Sequence, residues 1–170
     1  MADAVSIREL PPATRTIFRG GDTAVVLAGL VFGVGLPLKP CTVATTARTT
    51  VLWLGPDEWL VVGPPGGEAA LERQLRDALG DLAPAAAIVD VSANRTTIEL
   101  TGPDARIALE SGCSIDLDAR AFGPGRCAQT LLARANVLLQ QLDDAPTYRI
   151  YVRPSFAAYV TAWLADAFSG

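Results

Sequence analysis

Residues 52–60 read LWLGPDEWL, and a second Gly-Pro-Asp returns at Gly102, Pro103 and Asp104 within IELTGPDAR. The pair raises three readings: an internal repeat, two active-site loops, or one turn phrase serving two purposes. The flanking residues decide. Before the first Gly-Pro-Asp, residues 49–54 (TTVLWL) are rich in β-branched and aromatic side chains, hence a strand, and Trp59, Leu60, Val61 and Val62 form another. The residues between are too few for a helix, and proline at the second position of a four-residue turn fixes φ near the type I or II value. The first Gly-Pro-Asp therefore closes a hairpin. The second follows an alternating strand over residues 95–101, with Thr96, Ile98 and Leu100 on one face and Thr97 and Glu99 on the other. Pro103 suits the first turn of a helix, Asp104 complements its dipole, and Ala105, Ala108 and Leu109 supply a packing face until Gly112 stops it. The second is a strand-to-helix elbow.

Outward from the hairpin, Gly66 and Gly67 open an amphipathic helix with Leu71, Leu75, Ala78 and Leu79 on one face. Glu68 sits near its start, Glu72 and Arg76 pair at i,i+4, and Gly80 ends it, with Pro84 at the exit. Residues 86–91 follow as a buried strand. Three more strands are predicted over 127–133, 137–142 and 148–152; in the last, Tyr148, Ile150 and Val152 face one way, Arg149, Tyr151 and Arg153 the other. Pro154 and Ser155 begin a closing helix, Ser155 as its N-cap, with Phe156, Tyr159, Val160, Trp163, Leu164 and Ala167 along one side. Upstream, residues 24–38 (AVVLAGLVFGVGLPL) are broken by Gly29, Gly33, Gly35 and Pro37. They fall short of the ~20 residues a membrane-spanning helix needs and lack the flanks of a secretory signal; they read as a buried strand pair with a glycine turn. Residues 1–22, with Pro11, Pro12, Gly20 and Gly21, read as an N-terminal arm. The expected fold is α+β: after the arm, a first lobe over 23–91 and a second over 92–170, two intergrown two-layer lobes of antiparallel sheet with helices.

Composition narrows function. Half of the 170 residues are hydrophobic, 19% are charged, and the mean hydropathy is +0.30. Soluble proteins carry about 25% charged residues, so either a partner chain covers part of the surface or alanine inflates the count. The net charge is -4, Lys39 is the only lysine, and the arginines are scattered, which argues against nucleic acid. Histidine is absent, which removes the commonest general base, the usual partner of a catalytic Ser or Cys, and the commonest metal ligand. Cys41, Cys113 and Cys127 are odd in number and widely spaced, as expected of reduced, buried thiols in a cytoplasmic protein.

No catalytic, cofactor-binding or metal set emerges. The run GLVFGVG at 29–35 matches neither the dinucleotide fingerprint nor a P-loop. Asp143 and Asp144 belong to a polar turn, and Asp116 and Asp118 point to opposite faces of an extended segment. Acid–base catalysis needs a carboxylate with a raised pKa in a pocket, and these acids all sit beside turn residues. Asp90 and Arg95 flank one turn and read as a local ion pair or a capped turn. Trp53 and Trp59 flank the Pro56 turn, where tryptophan serves either as core or as an interface anchor. These three, with Arg149, Tyr151 and Arg153, form the candidate partner interface.

Four phrases in order, LWLGPDEWL at 52–60, VDVSANRTTIELTGPDA at 89–105, LESGCSIDLDARAF at 109–122 and RPSFAAYVTAWL at 153–164, resemble the gamma subunit of heterotetrameric sarcosine oxidase. The resemblance runs from about residue 49 to the C-terminus. It implies an accessory chain of an assembly that oxidises sarcosine to glycine, with FAD, FMN, NAD, tetrahydrofolate and zinc held by the alpha, beta and delta subunits. It also implies a fold similar to the folate-binding region of aminomethyltransferases, without catalysis of its own. In those enzymes the strand equivalent to 137–142 carries a catalytic acid; the run 136–141 here is NVLLQQ, which argues against folate chemistry in this chain. A rival reading is a free-standing folate-binding or aminomethyltransferase-like domain, and a third is a homo-oligomer that hides its own apolar surface.

Overall fold

The computed structural model describes residues 5–167. Two compact units share the chain: one continuous over residues 12–92, the other built from the N-terminal residues to 11 together with 93 onward.

The continuous unit holds β2 (Thr14–Arg19), α1 (Asp22–Phe32), β3 (Val43–Thr45), β4 (Thr50–Gly55), β5 (Glu58–Gly63), α2 (Glu68–Leu79) and β6 (Ala87–Asp90). Its sheet is antiparallel throughout, in the order β3-β4-β5-β2-β6. LWLGPDEWL is the β4–β5 hairpin: Trp53 pairs with Trp59, Gly55 with Glu58, and Pro56 and Asp57 make the exposed turn. The turn is fastened to the end of β2, where Gly20 N–H donates to the Asp57 carbonyl at 3.2 Å and Arg19 to its carboxylate at 2.9 Å. Beneath α1 and α2, Phe18, Val51, Trp59 and Val61 pack with Ala28, Phe32, Leu75 and Leu79. The Phe18 ring meets Phe32 edge-on at 6.1 Å and Trp59 at 6.2 Å. The opposite face of the same strands carries Leu52 and Leu60, also fully buried.

The second unit holds β1 (Ser6–Glu9), β7 (Thr96–Thr101), α3 (Ala105–Glu110), β8 (Cys127–Leu132), β9 (Ala135–Asp143), β10 (Thr147–Val152) and α4 (Pro154–Ala167). Its antiparallel sheet runs β1-β7-β10-β9-β8. The second Gly-Pro-Asp is the elbow from β7 to α3, with Gly102 at φ 126°, a backbone conformation that favours glycine. Ile98, Leu100, Leu139, Tyr148, Ile150 and Val152 pack beneath Ala105 and Leu109 of α3 and Val160 and Leu164 of α4. Both units are thus two-layer α+β, the expected architecture.

Four expectations are corrected. Residues 1–22 are not an arm: 6–9 and 14–19 are strands in two different sheets, while residues 1–4 lie outside the described residues. The run 24–38 is not a strand pair. It falls mostly in α1, whose C-cap Gly33 adopts φ 70° and returns its N–H to the Gly29 carbonyl. A run without polar residues fits strand and helix alike, because periodicity vanishes when every face is apolar. Residues 87–90 are an edge strand paired only with β2, and Val89 is exposed. Ser155 is no N-cap, since α4 begins at Pro154; proline suits a first helical position because its missing N–H would have no partner there. On that helix Ala157, Val160 and Leu164 are buried, while Phe156 and Tyr159 remain exposed.

Two substitutions test the second core. A Cβ on Gly112 would lie 2.5 Å from the Trp163 ring, so Gly112→Ala should cost about 1–3 kcal/mol by overpacking, measured by urea denaturation. The Tyr148 hydroxyl is buried with no hydrogen-bond partner among the described residues, and burial pushes its phenol above the ordinary pKa. Tyr148→Phe should therefore raise stability by roughly 1 kcal/mol in the same assay, since an unmade buried hydrogen bond carries a desolvation penalty.

Candidate functional site

A cleft of about 720 Å³ lies in the continuous unit beside the C-terminal end of α1. Val31, Phe32, Val61 and Leu71 give it apolar walls, with Thr46, Arg48 and Gln74 among its polar lining residues. One wall is the loop over residues 63–67, which reads GPPGG and takes Gly66 into φ 77° before α2 begins. Thr14 organises that loop from β2. Its hydroxyl lies 2.6 Å from the Pro64 carbonyl and 3.0 Å from Glu68 Oε1, and it accepts the Gly67 N–H at 3.0 Å. Glu68 Oε1 also accepts the Gly66 N–H at 3.3 Å. The carboxyl is held below its usual range by hydrogen bonds, foremost its own backbone N–H, then Thr14 and Gly66, against an opposing contribution from burial. This is an ionised acid that fastens the loop before α2, not a general acid awaiting a substrate.

In the second unit, the sheet face opposite the helices carries a ladder of charge. Arg8, Glu99 and Arg149 stand in register across β1, β7 and β10. The Glu99 carboxylate lies 2.7 Å from Arg8 Nη2 and 3.5 Å from Arg149 Nε. On the same face the Tyr151 hydroxyl donates to Gln140 Oε1 at 2.9 Å, inside the run 136–141. A glutamine amide does not titrate, so this position offers no acid or base.

The six interface candidates divide between the units. In the first, Pro56 is exposed, Trp53 is half-buried, and Trp59 is only 1% exposed, its indole N–H donated to the Pro37 carbonyl at 2.8 Å. In the second, Arg153 is exposed, Arg149 is half-buried beside Glu99, and Tyr151 is 1% exposed. Trp59 and Tyr151 are corrected accordingly: both are interior side chains, because strand pairing turns them inward. The acids are local as well. Asp90 accepts Ser92 N–H and Oγ–H at 2.9 and 2.6 Å, which caps the turn. Asp118 is lowered by the Arg120 side chain first and its backbone N–H second, and Asp143 accepts the Ala145 N–H. No three of His, Cys, Asp and Glu gather around a common point among the described residues. The surface that sequence reasoning missed is apolar: Val26 and Leu30 of α1 and Leu38 beyond it stand exposed. A helix apolar on every side was the signal available.

Two antiparallel α+β units of this arrangement define a fold class shared with aminomethyltransferases. The glycine cleavage system aminomethyltransferase T of Bartonella henselae superimposes with a TM-score of 0.67 at 12% identity, over 95% of this chain and 45% of that one, a likeness of fold alone. The sarcosine oxidase, gamma subunit family matches residues 19–170. The sarcosine oxidase subunit gamma of Corynebacterium sp. (strain P-1) is 41% identical over 172 residues, covering 99% of this chain and 82% of that one. A chain of the heterotetrameric sarcosine oxidase from Corynebacterium sp. U-96, solved in complex with pyrrole 2-carboxylate, superimposes with a TM-score of 0.88 at 37% identity, over 97% of this chain and 84% of that one. The chain belongs to the sarcosine oxidase gamma subunit family.

The hydrogen-bonded Glu68 carboxylate gives a pH-dependent test. A carboxyl whose folded pKa is depressed stabilises the fold above its unfolded pKa, near ~4.3, and loses that contribution as pH falls through the folded value. Urea midpoints of Glu68→Gln and the unmodified chain should therefore differ at pH 7 and converge as pH drops below about 4.

Proposed function

We propose that the chain works as the accessory gamma subunit of a heterotetrameric sarcosine oxidase, contributing structure and no catalytic group. Its function is read from the 0.88 TM-score against a chain of such an assembly, together with the family match over residues 19–170. The side-chain chemistry of the chain supports the non-catalytic part of the reading. The chain contains no histidine, and Glu68, Asp90, Asp118 and Asp143 each serve a turn or a helix start.

By this reading FAD, FMN, NAD, tetrahydrofolate and zinc are held by the alpha, beta and delta subunits. The cleft beside α1 is a poor fit for a dinucleotide, because the Gly66 and Gly67 N–H groups that would meet its phosphates already donate to Glu68 and Thr14. A free-standing folate-binding domain is the weaker reading: its support is a fold likeness at 12% identity, and the run 136–141 offers glutamines where that chemistry uses an acid. No described helix is long and apolar enough to cross a membrane, and we place the assembly in the cytoplasm.

Co-expression with the other three subunits should yield a stable complex with sarcosine oxidase activity, while the purified chain supplied with flavin should turn over no sarcosine. Turnover by the isolated chain would overturn the accessory role. Saturable binding of tetrahydrofolate to the isolated chain would revive the folate-domain reading.

A further inference from the structure

We propose that the outward face of α1, together with the segment at residues 33–38, is the apolar centre of the contact with another subunit of the assembly. The partner surface this face fits is itself aliphatic or aromatic and uncharged. This inference rests on the gamma-subunit reading above and adds to it the surface that docks.

Three observations carry it. First, residues 23–38 contain no charged side chain, a run of sixteen positions in a chain that is 19% charged. A helix on a solvated surface sets polar residues outward, and a helix apolar all round belongs in an interior. The two helices of the unit make the contrast. α2 exposes Arg73, Arg76 and Asp77, whereas α1 exposes Val26 at 67% and Leu30 at 76%, one turn apart, with Leu38 at 72% beyond it. Second, the surface has relief. A groove of about 580 Å³ runs between α1 and residues 33–38, walled by Val25, Leu30, Val34 and Leu38. The 720 Å³ cleft meets the end of the same helix at Val31, Phe32 and Gly33. An apolar ridge between two hollows receives apolar side chains on either side. Third, the relief is held in place before any partner arrives. A Cβ on Gly29 would stand 3.3 Å from the Val34 carbonyl oxygen, so the returning segment lies close against the helix, and Trp59 fixes it through Pro37. A preorganised surface loses less freedom on binding.

Size and composition select the occupant. The centre of a stable interface is depleted in charge and surrounded by a polar rim. One side of such an interface takes ~20–30 residues; the groove is lined by nine. The patch is therefore the middle of a wider contact, and a heterotetramer such as the one containing the similar chain offers other subunits to complete it.

The test uses the tagged full chain co-expressed with the other three subunits. Leu30→Glu should reduce the recovered partner subunits by about tenfold or more, since a charge buried in an apolar contact carries a large desolvation cost. Arg73→Glu on α2 should leave recovery unchanged. Leu30→Ser provides a milder variant should the glutamate disturb folding, and circular dichroism checks each isolated chain. In the unmodified protein, amide exchange over residues 33–38 should slow when the complex forms. Full recovery with Leu30→Glu or Leu30→Ser, or unchanged exchange over 33–38, would overturn the docking surface while leaving the gamma-subunit reading intact. No recovery with the unmodified chain would overturn the gamma-subunit reading itself. A homodimer dispersed by Leu30→Glu, with heteromeric recovery unaffected, would assign the face to a second copy and overturn the choice of partner.

Discussion

The indole N–H of Trp59, 2.8 Å from the Pro37 carbonyl, sets the geometry on which the continuous unit depends. Trp59 belongs to the hairpin sheet, Pro37 to the segment leaving α1, and the bond ties one to the other from inside the core. Phe18 on β2 and Phe32 on α1 close around the same point. A buried indole needs a partner for its donor, and a segment turning back from a helix end needs its carbonyls satisfied. One contact meets both needs. Leu36 is then buried and Leu38 thrown outward, so the apolar relief beside α1 follows from how the tryptophan is satisfied.

What was legible in the sequence follows the reach of each physical signal. Both Gly-Pro-Asp phrases could be read because proline and glycine constrain the backbone at the residue that bears them. α2 was legible because its apolar face repeats at 3.6 residues against a charged one. α1 was not, since a segment apolar on all sides carries no period. β1 escaped notice for another reason: four residues have little pattern, and what makes them a strand is Glu99, 91 positions away from Arg8. The candidate interface suffered likewise. Trp59 and Tyr151 looked as suitable for a surface as Pro56 or Arg153, and only sheets completed by the distant strands β2 and β7 buried them.

The polar groups tell a consistent story about chemistry. Catalytic acids are kept in apolar pockets where their charged form is disfavoured. Here Glu68 and Asp118 are displaced the other way, toward a firmly ionised state, by N–H and guanidinium donors. Such groups shape loops and helix starts. Both acids serve the architecture of a loop or a helix start, whereas exposed Val26 and Leu30 of α1 have no such internal use.

The division of the chain also bears on how it is made. Residues 12–92 are contiguous and can complete their sheet as soon as they leave the ribosome. β1 emerges before them but must wait for β7, and the 91 positions from Arg8 to Glu99 correspond to on the order of ten seconds at ~5–20 residues per second. During that delay an unpaired strand is a template for wrong partners. The sequence Ser6-Ile7-Arg8-Glu9 suits the wait, because two adjacent charges of opposite sign keep it hydrated and discourage premature pairing. The same Arg8 later pairs with Glu99, beside the backbone ladder that holds β1 to β7.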